Sequence, residues 1–459
     1  MIKNNFFFER KKIVLFLILF GSFLIFKSFN NGFWSDEWAT FYFSDPSKLN
    51  LILEGDFKDG SSKFFYIILI YWNKLFGYHP ESIRLFSNIF GIFSILAFFR
   101  LSREFRSDNE YLYLTLSLFI TNFFLIHYSE EARWYSLSLF LSLLCIYLFL
   151  KCFKKNKYLV FFISASILSA LINIFSIIIL LSAFIFAIFY KKKQIIISSL
   201  ISLFLILILK VDYILIRLLD ESSIAAFSIG SPFTKSFFIG YYFNNFFGNI
   251  FFGGLVLSII FFIILYFRSS IFINFKINFI ILVTILSYAL PLIYSYLFNP
   301  ILRDRYILFV VPLIIIFVSY FLSGLINNFV KKTLFYCLII STFTNIYFHK
   351  VYFSKTKIND ALKIVINSNN KNIYLRNINS HFNTFIFFSK YAKNSDIRFY
   401  NTNKNLDIFW TICLNSPRFA TSLQIDNDQC FINEFTNTHN LVSTIKIPDL
   451  VLRNYIKKE

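Results

Sequence analysis

The chain has 459 residues, of which 57% are hydrophobic, 22% aromatic and only 15% charged, with a mean hydropathy of +0.63. A soluble globular protein carries about 45–50% apolar and about 25% charged residues, so that class is excluded, as are disordered, collagenous and disulfide-scaffold chains. A membrane protein remains, with 45 Lys and Arg against 25 Asp and Glu, a formal +20 that points to nucleic acid or to a charged membrane face.

A helix needs about 20 apolar residues to cross a hydrocarbon core of about 30 Å. Residues 13–29 form the first such stretch, flanked by Lys3, Arg10, Lys11 and Lys12. No small-residue cleavage site precedes Asn30-Asn31-Gly32, so the stretch reads as an anchor rather than a removed signal peptide. Its basic flank belongs in the cytoplasm, which puts the residues after Phe29 outside. Phe64 to Trp72, enclosed by Lys63 and Lys74, is too short to span and reads as an amphipathic helix in the outer interface.

Spans are predicted over 82–99, 111–126 and 134–150. Residues 158–190 carry no charge, follow Lys151, Lys154, Lys155 and Lys157, and precede Lys191, Lys192 and Lys193. Two cytoplasmic flanks make this segment a tight hairpin turning near Asn173. Further spans over 195–209, 251–267, 277–297, 306–325 and 333–348 bring the total to about 11 and leave the C-terminus outside. Arg268, Lys276, Lys331 and Lys332 then fall inside. Most of the +20 is therefore a topology signal, and a nucleic-acid partner loses its support. The 67 Phe residues, beside 1 Met and 12 Gly, look partly like an AT-rich coding bias and carry little functional weight.

From about Lys350, polar residues interrupt short strand-like runs at 372–375, 397–400, 408–414 and 441–447, with helical stretches at 360–366 and 381–391. The expected organisation is an all-α polytopic membrane domain over 1–350 and a small extracytoplasmic α/β domain over 351–459. Cys145, Cys152 and Cys337 sit in or beside spans as small apolar residues. Cys413 and Cys430 fall in the outer domain, where a disulfide is permitted and would contribute about 3 kcal/mol by loop closure. No zinc-like cysteine spacing, P-loop, dinucleotide fingerprint or nucleophile elbow is present.

Three polar constellations lie in predicted outer loops. In Phe33-Trp34-Ser35-Asp36-Glu37-Trp38, adjacent carboxylates repel and raise one pKa, which suits a general base; an acidic, Trp-anchored interfacial loop is the competing reading. In Ser129-Glu130-Glu131-Ala132-Arg133-Trp134-Tyr135-Ser136, Arg133 suits bidentate binding of a phosphate with Glu131 orienting it. The same stretch reads as a helix start, with Ser129 as cap and both Glu in the first turn. In Asn299-Pro300-Ile301-Leu302-Arg303-Asp304-Arg305-Tyr306, two arginines suit a lipid phosphate, and headgroup contact or pairing with Asp304 is the plainer alternative. The loop over 210–248 adds Asp212, Arg217, Asp220, Glu221 and Lys235 in no decodable pattern.

Taken in order, the outer Asp36-Glu37 pair, the Ser129 to Ser136 stretch and the Arg305-Tyr306 opening of a late span resemble one family. It is the family-39-like membrane glycosyltransferases of GT-C fold, relatives of protein O-mannosyltransferases and the lipid A aminoarabinose transferase. Leu75-Phe76-Gly77 followed by Ile83-Arg84-Leu85-Phe86-Ser87 also resembles a segment of that family. The resemblance covers roughly residues 10–350. It implies a polyprenyl-phosphate sugar donor and an acceptor outside: a glycan, lipid or protein. By that analogy Asp36 is the base, Glu37 its helper or a substrate contact, and Arg133, Arg303 and Arg305 hold the donor phosphate, with Glu131, Tyr135 and Tyr306 as further substrate contacts.

Two histidines that such relatives often carry are replaced by the Ser61-Ser62-Lys63 region and by Asn173. Their loss weakens any metal site, since imidazole is a common ligand, so no cofactor is assigned; Lys63 offers a cation to the lipid phosphate instead. Nucleotide sugars stay in the cytoplasm, so a transferase acting outside needs a lipid-carried donor. A lipid-linked-glycan flippase or transporter is the rival reading, and an inactive structural partner is a third. The flippase reading expects mid-membrane charges and broken helices.

Overall fold

The computed structural model describes residues 2–27, 33, 35–54, 62–219, 250–266, 274–297, 304–325, 327–352, 358–374, 398–400, 407–414, 438–447 and 450–458. In chain order its helices are α1 (Ile2–Phe26), α2 (Ser35–Phe43), α3 (Leu49–Glu54), α4 (Lys63–Phe76), α5 (Pro80–Phe105), α6 (Asn109–Ile120), α7 (Phe123–Glu130) and α8 (Tyr135–Cys152). They continue as α9 (Leu159–Ile172), α10 (Ile177–Phe189), α11 (Lys193–Leu219), α12 (Ile250–Tyr266), α13 (Phe275–Leu297), α14 (Val310–Ser323), α15 (Asn328–Tyr352) and α16 (Ile358–Asn367). Among the described residues α5, α8, α13 and the Lys193–Lys210 part of α11 are long and apolar enough to cross a membrane, and α6 with α7 makes a fifth if that pair is one span. The chain is a multi-pass membrane protein, and of its predicted spans those over 82–99, 111–126, 134–150, 195–209 and 277–297 fall on these helices.

Contacts sort the chain into two units: Met1–Phe29 with Phe43–Tyr352, and Asn30–Tyr42 with Phe353–Glu459. In the first unit, the stretch expected as one span over 111–126 is two helices bent by 51°. The break has a local cause. Asn122 leaves the helix and its side chain accepts from the Leu125 amide at 3.1 Å, capping α7 afresh. Helix α4 has 14 residues, about 21 Å at 1.5 Å per residue, short of a span. It buries Phe65, Tyr66, Leu69, Ile70 and Asn73 on one face and exposes Tyr71 and Leu75 on the other.

Contacts along α8 show how the uncharged segment folds. Ser138, Ser142, Cys145 and Phe149 meet Asn173, Ser169, Ser166 and Phe162 in that order, so α9 runs antiparallel to α8. Ser142, Phe149 and Phe153 meet Ser176, Phe186 and Tyr190, so α10 runs parallel to α8. The chain therefore reverses at Asn173. The polar contacts form a ladder: Ser142 Oγ lies 3.2 Å from Ser169 Oγ and 3.1 Å from Ser176 Oγ, and Cys145 Sγ lies 3.2 Å from Ser166 Oγ. Such interhelical bonds contribute about 0.6 kcal/mol each within a bilayer.

The C-terminal ends of α5 and α8 and the start of α13 gather charge. Glu104 pairs with Lys151 at 2.6 Å and Lys154 at 3.0 Å, and its carbonyl accepts from Lys276. Nearby helix ends carry an Arg106–Asp108 pair, a 3.1 Å bond from Arg106 to Ser323, and Lys331 against Glu110 at 2.6 Å. Lysines and arginines predicted to share one side of the membrane thus meet at one end of the bundle.

The second unit holds a five-stranded sheet in the order β2 (Arg398–Tyr400), β1 (Asn372–Tyr374), β3 (Ile408–Leu414), β5 (Leu450–Lys457), β4 (His439–Ile447). β1 runs parallel to β2 and β3, whereas β5 is antiparallel to β3 and β4. Register pairs Phe409 with Tyr455 and stacks their rings 5.4 Å apart. Ala361, Leu362 and Val365 of α16 are buried with Ile373, Phe409, Trp410 and Leu452 in this unit's core. Trp410 Nε1 donates to Ser368 Oγ at 3.1 Å and to the Asn370 carbonyl at 3.0 Å. The four predicted strands are present, and β5 adds one the sequence pattern did not separate. The helix expected over 381–391, and the pairing of Cys413 with Cys430, lie outside the described residues.

Candidate active site

At the end of the first unit opposite the Glu104 cluster, the α7–α8 connection folds into a tight turn of buried polar residues. α7 ends at Glu130, and the Glu131 amide bonds the His127 carbonyl at 3.2 Å. Arg133 N then donates to the Glu131 carbonyl at 2.7 Å. Glu131, Arg133, Trp134 and Tyr135 are all buried. This corrects the expected helix start at Ser129. Ser129 lies inside α7, its hydroxyl donates to the Leu125 carbonyl at 2.7 Å, and α8 begins at Tyr135 without a side-chain cap. A serine hydroxyl bonded back to residue i−4 belongs to a helix interior, not to its cap.

Helix α5 anchors this turn. Ser87 Oγ donates to the Arg133 carbonyl at 3.2 Å, and the Asn88 amide, with its nitrogen turned inward, reaches the Ser129 and Arg84 carbonyls at 3.1 and 3.3 Å. The approach needs Gly91, because a Cβ there would lie 2.7 Å from Ser129 Cβ. Arg84, one turn before Asn88, is only 2% exposed.

A second arginine comes from the short 3-10 turn Asp304–Ile307. The Arg305 guanidinium lies 5.9 Å from the Tyr135 ring centre and 5.8 Å from that of Tyr306, in cation–π range. Tyr306 packs against Trp134 and Phe175, with ring centres 5.8 and 5.2 Å away. Its carbonyl accepts from Asn173 Nδ2 at 2.8 Å. Glu131 Oε1 lies 3.0 Å from His127 Nε2, with side chains 4% and 13% exposed. The structure thus brings Glu131, Arg133, Tyr135, Arg305 and Tyr306 to one end of the bundle. Lys63 opens α4 at the same end, where the hydroxyl of its cap, Ser62, donates to the Leu171 carbonyl two residues before Asn173. Arg303 lies outside the described residues.

The acidic pair belongs to the other unit. Asp36 and Glu37 stand in the first turn of helix α2, not in a loop, at successive positions about 100° apart around the axis. Glu37 is fully buried, with Thr40 and Phe41 buried a turn later. The Asp36 side chain lies outside the described residues.

Three residues of the bundle end escaped the sequence reading. His127 was findable four positions before Glu131, the helical spacing for a side-chain pair. Arg84 carries no signal of its own, because nothing in composition announces that an arginine will be buried. Asn173 reads from the sequence as a turn and as the replacement of a histidine, with no role of its own. Among the described residues no group of three His, Cys, Asp or Glu side chains could hold a metal ion.

Buried guanidinium groups are costly to desolvate and are kept where they meet anions or fixed polar partners. A bundle end carrying the buried Arg84 and Arg133 beside the half-buried Arg305 suits a phosphate bound at the edge of a membrane.

The whole chain has the fold of the GT-C membrane glycosyltransferases. The structure of ArnT, the lipid A aminoarabinose transferase, from Cupriavidus metallidurans bound to undecaprenyl phosphate is similar over 96% of this chain and 97% of that one, with 10% identity and a TM-score of 0.56. Its apo form gives 10% identity and a TM-score of 0.55 over the same shares. The Archaeoglobus fulgidus oligosaccharyltransferase in complex with Zn and sulfate matches 87% of this chain and 67% of its own, with 12% identity and a TM-score of 0.50. No family model and no curated protein matches the sequence.

Proposed function

We propose that this protein is a membrane glycosyltransferase that moves a sugar from a polyprenyl-phosphate donor to an acceptor on the extracytoplasmic face. The observation that carries the reading is the arginine–aromatic cluster at one end of a GT-C bundle, with Arg133 and Tyr135 buried and Arg305 and Tyr306 half-buried beside them. The opposite end, with Lys151, Lys154, Lys276 and Lys331, takes the cytoplasmic side by the positive-inside rule. That leaves the arginine end, and the α/β domain from about residue 351, outside.

In the reaction the sugar C1–phosphate oxygen bond breaks as a bond from the acceptor oxygen or nitrogen to C1 forms on the opposite face, inverting the centre. Asp36 takes the acceptor's proton and Glu37 assists it. The departing polyprenyl phosphate gains negative charge, and Arg133 and Arg305 hold it. Donors fixed in place before that charge develops contribute about 2.7–4 kcal/mol each. Glu131, held by His127, orients Arg133; Lys63 adds a cation to the lipid phosphate.

The α6–α7 bend favours a second reading, a flippase of lipid-linked glycans, because broken helices mark transporter sites. Purified protein supplied with polyprenyl-phosphate sugars distinguishes the two, product being read by mass spectrometry in nanodiscs and donor movement by leaflet-selective labelling in sealed vesicles. A transferase yields glycosylated acceptor and free polyprenyl phosphate, and Asp36→Asn abolishes that yield while leaving undecaprenyl phosphate binding intact. Unchanged turnover in Asp36→Asn removes the residue from catalysis. Transbilayer movement of intact donor with no product establishes the flippase.

A further inference from the structure

Resting on the donor-phosphate reading of Arg305, we infer that Asn173 is the positioning residue that sets this arginine in place. Its amide makes three bonds to three different pieces of chain. Oδ1 accepts from the Phe175 amide at 3.1 Å and caps the turn between α9 and α10. Nδ2 donates to Ser138 Oγ at 3.0 Å, on the first turn of α8, and to the Tyr306 carbonyl at 2.8 Å, next to Arg305. One buried side chain therefore ties the hairpin tip, the start of α8 and the 3-10 turn that carries the arginine.

The ring contacts complete the clamp. Phe175, whose amide Asn173 caps, and Trp134, one residue before α8, both pack against the Tyr306 ring. Across the Tyr306 backbone bond sits Arg305, aimed at Tyr135 in the first turn of α8. With the bond from Asn173 to the Tyr306 carbonyl broken, the 3-10 turn is free to move against α8, and the guanidinium loses its register with Arg133. Asn173 touches no reacting atom in this scheme; it acts through Arg305.

The three bonds can be separated by substitution. Serine is a good neutral cap and keeps an acceptor for the Phe175 amide, but it is too short to reach the Tyr306 carbonyl. Histidine can accept at one ring nitrogen and donate at the other, so it can restore both. Undecaprenyl phosphate is titrated into the full-length protein in nanodiscs and read by native mass spectrometry, with thermal unfolding measured in parallel. Asn173→Ser is expected to weaken binding about fivefold to tenfold, the worth of one hydrogen bond, with little change in unfolding temperature. Asn173→His is expected to recover most of that loss, and Ser138→Ala, which leaves the Tyr306 bond, to bind as the parent does. In turnover the loss appears in the donor KM and leaves the acceptor KM unmoved.

Wild-type affinity in Asn173→Ser overturns the inference, since the cap alone then suffices. A serine variant that does not fold overturns it too, because the side chain then serves the hairpin itself. Arg305→Ala separates this inference from the reading beneath it. Unchanged binding in Arg305→Ala removes the arginine from the phosphate site, whereas loss there with no loss in Asn173→Ser removes only the positioning role.

Discussion

Gly91→Ala tests whether close packing of α5 against α7 holds the arginine turn. The added Cβ would stand 2.7 Å from Ser129 Cβ, 3.0 Å from Ser129 Oγ and 3.2 Å from Ile25 Cδ1. Carbon atoms in contact prefer about 3.5–4.0 Å, so the helices must separate by about 1 Å. The Ser129 Cβ cannot swing aside, because it is fixed to the backbone of α7. Overpacking of this kind costs about 1–3 kcal/mol. The strain is transmitted to the site, since Ser87 and Asn88, one turn before Gly91, bond the carbonyls of Arg133 and Ser129. A displacement of about 1 Å in a binding group costs on the order of 100-fold in rate.

Thermal unfolding in detergent and sugar transfer in nanodiscs measure the two consequences. Ser129→Gly removes the opposing Cβ at a cost of about 1 kcal/mol to α7. The double variant Gly91→Ala with Ser129→Gly is therefore expected to be less damaged than the two single losses added together, with coupling of about 0.5–3 kcal/mol. Strict additivity, or a Gly91→Ala protein with wild-type stability and transfer, refutes the packing argument.

Arg305→Lys keeps the charge but loses the planar fork and its stacking on Tyr135, so transfer should fall by about 10-fold or more in a donor-saturation assay. Glu104→Gln removes the carboxylate shared by Lys151 and Lys154 at the other end. It is expected to lower stability by about 1–2 kcal/mol, read by thermal unfolding, and to leave kcat unchanged. Cysteines placed at Ser222 and Ser269 are expected to label from the outside and from the cytoplasm respectively, and the opposite pattern dismisses the assigned sidedness.

The helices were the most legible level, because length and hydropathy alone locate a segment that must leave water. The reversal at Asn173 was legible too: lysines on both sides of an uncharged stretch cannot face opposite sides cheaply. The α6–α7 bend was not, since no Gly or Pro marks it and its cause is one asparagine capping a new helix. Likewise, Ser129 reads as a cap by residue type, yet α7 continues through it because its hydroxyl finds the Leu125 carbonyl. Of the site, the charged side chains of the α7–α8 turn were recognised by type and order. Its burial and scaffolding were not, because Arg84, His127 and Asn173 owe their roles to neighbours distant in sequence.

The hydroxyl ladder between α8, α9 and α10 also bears on how the protein is made. Ser166 and Ser182 donate to carbonyls of their own helices, Phe162 and Ile178, at 2.7 Å each. The α9–α10 hairpin can thus enter the bilayer as one uncharged insert with these hydroxyls already satisfied, and Ser166 still meets Cys145 once α8 is alongside. Docking then adds contacts without first breaking any. The clamp on Tyr306 can close only when the late segment carrying Arg305 has been translated.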